Sequence, residues 1–215
     1  MSAPAVDEHL ARRLVDSQFP QWADLPVTPV EHGGVDNRTF RLGERMTVRL
    51  PSADWYALQV AKEQRWLPVL APRLPLPIPT PVAKGAPGEG YPYAWSVYRW
   101  LDGEIASESR IADLTEFATT LAGFLVALGG VEAADGPAPG RHNFFRGGPL
   151  TTYADETIDA IEALGDAIPG DAARRVWDDA LAATWDSDPV WFHGDVAEGN
   201  LLLRDGRLAA VIDFG

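Results

Sequence analysis

Three things are scarce in this 215-residue chain, and each narrows its chemistry. Cysteine is absent. That excludes disulfide staples and thiolate-held metals and fits a cytoplasmic protein. No apolar run approaches the ~20 residues that cross a bilayer. The start, MSAPAVDEHLARRL, has no basic segment followed by an apolar block, so no secretory signal is expected. Positive charge is short: 18 Lys and Arg face 31 Asp and Glu, leaving a net −13. Such a surface repels nucleic acid and anionic lipid and attracts cations. Neither a nucleic-acid nor a membrane partner is therefore expected.

What is present is ordinary for a globular protein. Hydrophobic residues make up 46% of the chain, enough to bury a core in one large domain or two small lobes. The pattern predicts helices over 7–18 and 54–70, where apolar residues recur at helical spacing. Two strands are expected within 38–50 around the Gly43-Glu44 turn, and another over 91–101. Residues 71–90 carry six prolines and read as an extended connector. From about Ser109, Ile111, Leu114, Phe117, Leu121, Phe124, Leu125 and Leu128 form a stripe of period 3.6, ended by Gly129-Gly130. A loop over 135–149, helices over 153–166 and 171–185 and a strand over 190–193 complete the reading. The first half is strand-rich and the second helical, with a seam near 99–104.

The closing segment, HGDVAEGNLLLRDGRLAAVIDFG, carries the chemistry. Asp205-Gly206 lies between apolar runs, a strong hairpin signal because both turn residues need positive φ. Such a hairpin brings its ends together, so Asn200 and Asp213 are expected side by side with Asp195 close by. Two carboxylates and an amide oxygen suit Mg²⁺, which takes oxygen ligands and completes its shell with substrate phosphates. Phosphoryl transfer needs one acid to receive a hydroxyl proton, and an Asn with a second acid to hold metal. Protein kinases place these groups at the same Asp-to-Asn spacing, followed by Asp-Phe-Gly.

His193-Gly194-Asp195, Asn200 and Ile212-Asp213-Phe214-Gly215 together resemble the aminoglycoside phosphotransferase family. So do GVDNRTFRLG (34–43), VRLP (48–51), KEQRWLPVLAP (62–72), WSVYRWLDGE (95–104) and HNFFRGGPL (142–150). The resemblance implies an α+β, protein-kinase-like two-lobe fold. Residues 1–100 would form a nucleotide-binding lobe, an antiparallel sheet plus helix. Residues 101–215 would form a partial catalytic lobe, mostly helical with the hairpin and incomplete at its C-terminus. It implies Asp195 as catalytic base, Asn200 and Asp213 as metal ligands, and His193 as a shaper of the catalytic loop. Arg49 would reach the nucleotide's α and β phosphates and pair with Glu63. The backbone from Tyr98 through Trp100 to Leu101 would face adenine, and Gly34 and Asn37 would lie on the phosphate loop. The cofactors implied are ATP or GTP and Mg²⁺. The acceptor implied is a small hydroxylated molecule, aminoglycoside-like and cationic, with macrolide, amino-alcohol and sugar acceptors open.

Three departures accompany the resemblance. The phosphate loop lacks G-x-G-x-x-G, Arg49 stands where many kinases use lysine, and Glu198 adds negative charge beside the metal ligands. Family members continue past Asp-Phe-Gly, so this chain alone is expected to bind nucleotide more weakly than a full-length relative and to phosphorylate an acceptor little or not at all. Two rivals follow: a nucleotide-binding relic without turnover, and a metal-dependent hydrolase using Asp195 and Asp213. The scattered positions of His9, His32 and His142 count against the hydrolase.

Overall fold

The computed structural model describes residues 6–30 and 36–214. The chain forms two compact units. One holds the chain up to Ala133 together with the segment from Val190 onward, and the other holds Ala134–Pro189.

The larger unit begins with α1, Glu8–Gln18. Asp7 caps it by accepting the Leu10 N–H at 2.8 Å, and Leu10, Ala11, Leu14 and Val15 form its buried face. Five strands follow: β1 (Val27–Pro29), β2 (Asn37–Leu42), β3 (Met46–Pro51), β4 (Pro81–Gly85) and β5 (Trp95–Arg99). They pair antiparallel in the order β1-β2-β3-β5-β4. Phe40 and Leu42 on β2, Val48 and Leu50 on β3, and Trp95 and Val97 on β5 join the α1 residues in one core. Each side chain of that size stabilises the fold by about 1.5–3 kcal/mol when buried.

Helix α2, Asp54–Leu70, follows β3. Its buried positions are Gln59, Val60, Glu63, Leu67 and Leu70, so one carboxylate lies on the covered face. A second sheet, β6-β7-β8, joins Glu104–Ile105, Leu201–Arg204 and Arg207–Val211. Its hairpin turn has Asp205 at φ 53° and Gly206 at φ 74°, the mirror-image turn an Asp-Gly pair favours. Helix α3, Leu114–Gly129, is capped by Asp113. Phe124 and Leu128 from α3 meet Leu67, Leu70, Ile78, Tyr98, Leu201, Leu203, Leu208 and Val211 in a second core.

The smaller unit holds α4 (Ala154–Leu164) and α5 (Gly170–Ala182), joined by an Arg174–Glu162 ion pair at 2.9 Å. None of its residues is buried. Among the described residues no helix is long and apolar enough to cross a membrane.

Some expectations need correction. Residues 190–193 form no strand: Val190 and Phe192 are exposed and no neighbouring strand pairs with them. The proline-rich connector contains β4. Pro81 is tolerated because it opens an edge strand, where its missing N–H costs no ladder bond, and a bulge follows it. Helix α3 starts at Leu114, preceded by a single tight turn at Glu108–Arg110.

Candidate functional site

Alternation along β3 buries Val48 and Leu50 and turns Arg49 to the opposite face, in register with Thr39 on β2 and Ser96 on β5. The Arg49 side chain is 18% exposed and that of Glu63 6%. Arg49 Nη1 donates to Glu63 Oε1 at 3.4 Å, and Nη2 donates to Asp213 Oδ1 at 3.3 Å. A guanidinium is a planar fork, so it serves two carboxylates at once where an ammonium is a single point. Burial opposes the Arg49 charge, but Glu63 and Asp213 outweigh it and hold the proton more tightly than usual. Arg49 is therefore a fixed cation.

Tyr98 supports the group at the second oxygen of Glu63. It is 2% exposed, and its hydroxyl donates to the second Glu63 oxygen, Oε2. Burial first, and then the Glu63 charge, push its pKa well above the ordinary tyrosine value. Its ring lies 5.8 Å from the Arg49 guanidinium. The sequence reading assigned Tyr98 only a backbone role. The signal for more was the pair Ser96 and Tyr98, two polar groups on one face of β5 at buried positions.

The loop before β7 forms the other half of the site. His193 is 6% exposed. The Asp195 N–H donates to its Nδ1 at 3.3 Å, so Nε2 carries the proton and donates to the Ile212 carbonyl at 2.9 Å. One imidazole thus ties the start of this loop to the end of β8. Asn200 Nδ2 donates to the Asp195 carbonyl at 2.9 Å, and the Ile212 N–H donates to the Asn200 carbonyl at 2.9 Å. The Phe214 ring stacks edge-on against His193 at 4.8 Å and lies 6.5 Å from Phe124 on α3. Asp213 sits between these anchors at φ 66°, a conformation that costs a non-glycine residue about 1 kcal/mol or more.

The hairpin therefore brings the Asn200 and Ile212 backbones together. From there the Asn200 amide turns toward the Asp195 loop, while the Asp213 carboxylate reaches Arg49. Trp100 and Leu101 follow β5. The Arg99 and Trp100 N–H groups are committed to the Thr80 and Arg45 carbonyls, at 2.9 and 2.8 Å. Arg41 stacks over the Trp100 ring at 4.0 Å. Asn37 is buried at the start of β2, opposite Pro51, and no described contact joins it to the Arg49 group. Gly34 lies outside the described residues. A 610 Å³ groove between residues 72–76 and α3 includes none of the expected site residues.

The donor set suits a hard cation. Asn200 keeps its carbonyl oxygen after its amide nitrogen is used, and the Asp213 side chain is 33% exposed. Mg²⁺ needs only one or two protein carboxylates because water and phosphate oxygens fill its shell. No described group of three or more His, Asp or Glu is placed to hold a metal ion. The fit thus rests on one carboxylate and one amide.

The sequence model of the phosphotransferase enzyme family, APH, matches residues 27–215. The chain belongs to that family. No curated protein matches it. Among solved structures it is similar to the GDP complex of wild-type aminoglycoside 2'-phosphotransferase-IIIa. That match has a TM-score of 0.70 and 21% identity, covering 97% of this chain and 72% of that one. It is also similar to the streptomycin-ATP-APH(2")-IIa ternary complex, with a TM-score of 0.57 and 18% identity over 98% and 71% of the two chains. A third is macrolide 2'-phosphotransferase MphH from Brachybacterium faecium, with a TM-score of 0.58 and 23% identity over 93% and 71%. These phosphotransferases share its fold, a sheet-rich lobe and helices built as in protein kinases.

Proposed function

We propose that the chain binds ATP or GTP with Mg²⁺ and moves the γ-phosphoryl group to a hydroxyl of a small molecule. The carrying observation is the Arg49 fork, which joins β3, α2 and the end of β8 through Glu63 and Asp213. In this reading residues 1–100 hold the nucleotide and 101–215 supply the catalytic groups, in the cytoplasm where nucleotide and magnesium are found.

Arg49 contacts the α and β phosphates, and Glu63 keeps its fork oriented. The adenine or guanine edge meets residues 98–101 through their carbonyls and the Leu101 N–H, because the Arg99 and Trp100 N–H groups are already committed. Gly34 and Asn37 belong to the loop over the phosphates. Mg²⁺, held by Asn200 and Asp213, neutralises the phosphate oxygens when bound. Asp195 orients the acceptor hydroxyl and takes its proton. The new bond joins the acceptor oxygen to the γ-phosphorus, the β–γ bridging bond breaks, and the nucleoside diphosphate leaves. His193 moves no proton, since both its nitrogens are engaged in holding the loop.

The net charge of −13 favours a cationic acceptor, and an aminoglycoside is the first candidate. The test is transfer of label from γ-labelled ATP to kanamycin, a macrolide and an amino alcohol in turn. Any labelling of acceptor is expected to be slow, with Asp195→Asn lowering turnover about 100-fold or more and leaving ADP affinity within about twofold. Absence of both transfer and ADP binding, or full activity of Asp195→Asn, contradicts the reading.

A further inference from the structure

Glu63 is a buried carboxylate with both oxygens engaged, one by Arg49 and one by Tyr98. The chain of contacts reaches further back. Gln64 Nε2 donates to the Ala83 carbonyl and to Ser96 Oγ, each at 3.0 Å, and Ser96 shares one face of β5 with Tyr98. Ser96 and Tyr98 are 1% and 2% exposed. Gln64 thus ties α2 to β4 and β5, and the Tyr98 hydroxyl of β5 donates back to Glu63 of α2. Glu63 then takes Nη1 of Arg49, whose Nη2 is directed to Asp213. Together these bonds join β4, β5, α2, β3 and the end of β8.

We infer that Tyr98 is a positioning residue: its hydroxyl fixes the rotation of the Glu63 carboxylate, and so fixes how the Arg49 fork meets a nucleotide's phosphates. This rests on the nucleotide reading above. A carboxylate held at one oxygen only can turn about its terminal torsion, which is broad and roughly two-fold. Held at both, it presents Oε1 to Arg49 in a single direction. The fork then has its second nitrogen aimed along one line, which matters because bidentate recognition depends on angle as well as distance.

The test uses the full chain with ADP and Mg²⁺ as the probe, read by titration calorimetry. Tyr98→Phe is expected to weaken ADP binding about tenfold, the factor that goes with one hydrogen bond to a charged group. Glu63→Gln is expected to weaken it similarly. The double variant should be no weaker than Glu63→Gln alone, because Tyr98 acts through Glu63. A general loosening of the fold would add in the double variant and so separates from positioning. Glu63→Asp gives a second reading should Tyr98→Phe fail to fold: it keeps the charge, but one methylene less prevents it from reaching both partners, and a similar loss is expected. Unchanged ADP affinity in Tyr98→Phe, or independent losses that multiply in the double variant, overturns this proposal alone. Unchanged affinity in Glu63→Asp does the same. No ADP binding by the wild-type chain overturns the nucleotide reading, and this proposal with it.

Discussion

Replacing Arg49 by methionine removes the charge and keeps most of the stem, so the cost is dominated by what the guanidinium leaves behind. Glu63 loses its only described ion-pair partner while its side chain stays 6% exposed, with the Tyr98 hydroxyl as its remaining support. Breaking a buried pair by removing one partner costs about 3–5 kcal/mol. The long 3.4 Å contact and the 18% exposure of Arg49 place this case at the low end, about 3 kcal/mol. The Asp213 side contributes about 0–1 kcal/mol, since that carboxylate is 33% exposed and water screens the pair. Urea unfolding followed by tryptophan fluorescence reads the total. Arg49→Met with Glu63→Met removes both buried charges, and recovery to within about 1 kcal/mol of wild type is expected. ADP affinity should fall in both variants. A single-variant loss below about 1 kcal/mol, or a double variant no more stable than the single, refutes the claim that Glu63 depends on Arg49 for its burial.

Other predictions test the rest of the molecule. A Cβ added at Gly85 would stand 1.9 Å from the Trp95 ring, which is fully buried and donates to Ala86 at 3.0 Å. Gly85→Ala should therefore cost about 3 kcal/mol or fail to fold, read by urea midpoint, and unchanged stability would count against the β4–β5 packing. Tyr98 and Tyr91 both have pKa values raised above 10, chiefly by burial. The folded state keeps these protons longer than the unfolded state does, so stability is complete below about pH 10 and falls as pH rises beyond it. Absorbance at about 295 nm should show fewer tyrosinates in native than in urea-unfolded protein near pH 11, with one late proton lost in Tyr98→Phe. Equal counts would contradict the burial of these hydroxyls. In the unit of residues 134–189 no side chain is buried, so amides of α4 and α5 should exchange faster than those of β3 and β5. Comparable protection in the two sets would count against that exposure.

Much of this is legible in the sequence. The span of α2 and the positive-φ pair at Asp205-Gly206 follow from apolar spacing and turn chemistry, which are local. The same locality explains what was missed. β4 hid among prolines because an edge strand tolerates Pro81 only where its partner lies on one side, and no local pattern reveals an edge. The run Val190-Trp191-Phe192-His193 has strand composition, but a strand needs a neighbour, and among the described residues none pairs with it. β6 is two residues long and exists only because Leu202 and Leu203 pair with it. Within the site, the resemblance supplied the Arg49–Glu63 pair. The contact between Arg49 and Asp213, 164 residues apart in sequence, and the Tyr98 hydroxyl on Glu63 depend on strand register and helix rotation, which spacing alone does not fix.

The central claim is that Asp213 holds magnesium against a nucleotide while Arg49 holds Asp213. Calorimetric titration of the chain with ADP, with and without Mg²⁺, tests it most directly when Asp213→Asn is run beside wild type. Magnesium should tighten ADP binding to wild type about tenfold or more and leave the variant unaffected. Equal binding with and without magnesium in wild type, or the same magnesium response in Asp213→Asn, would contradict it.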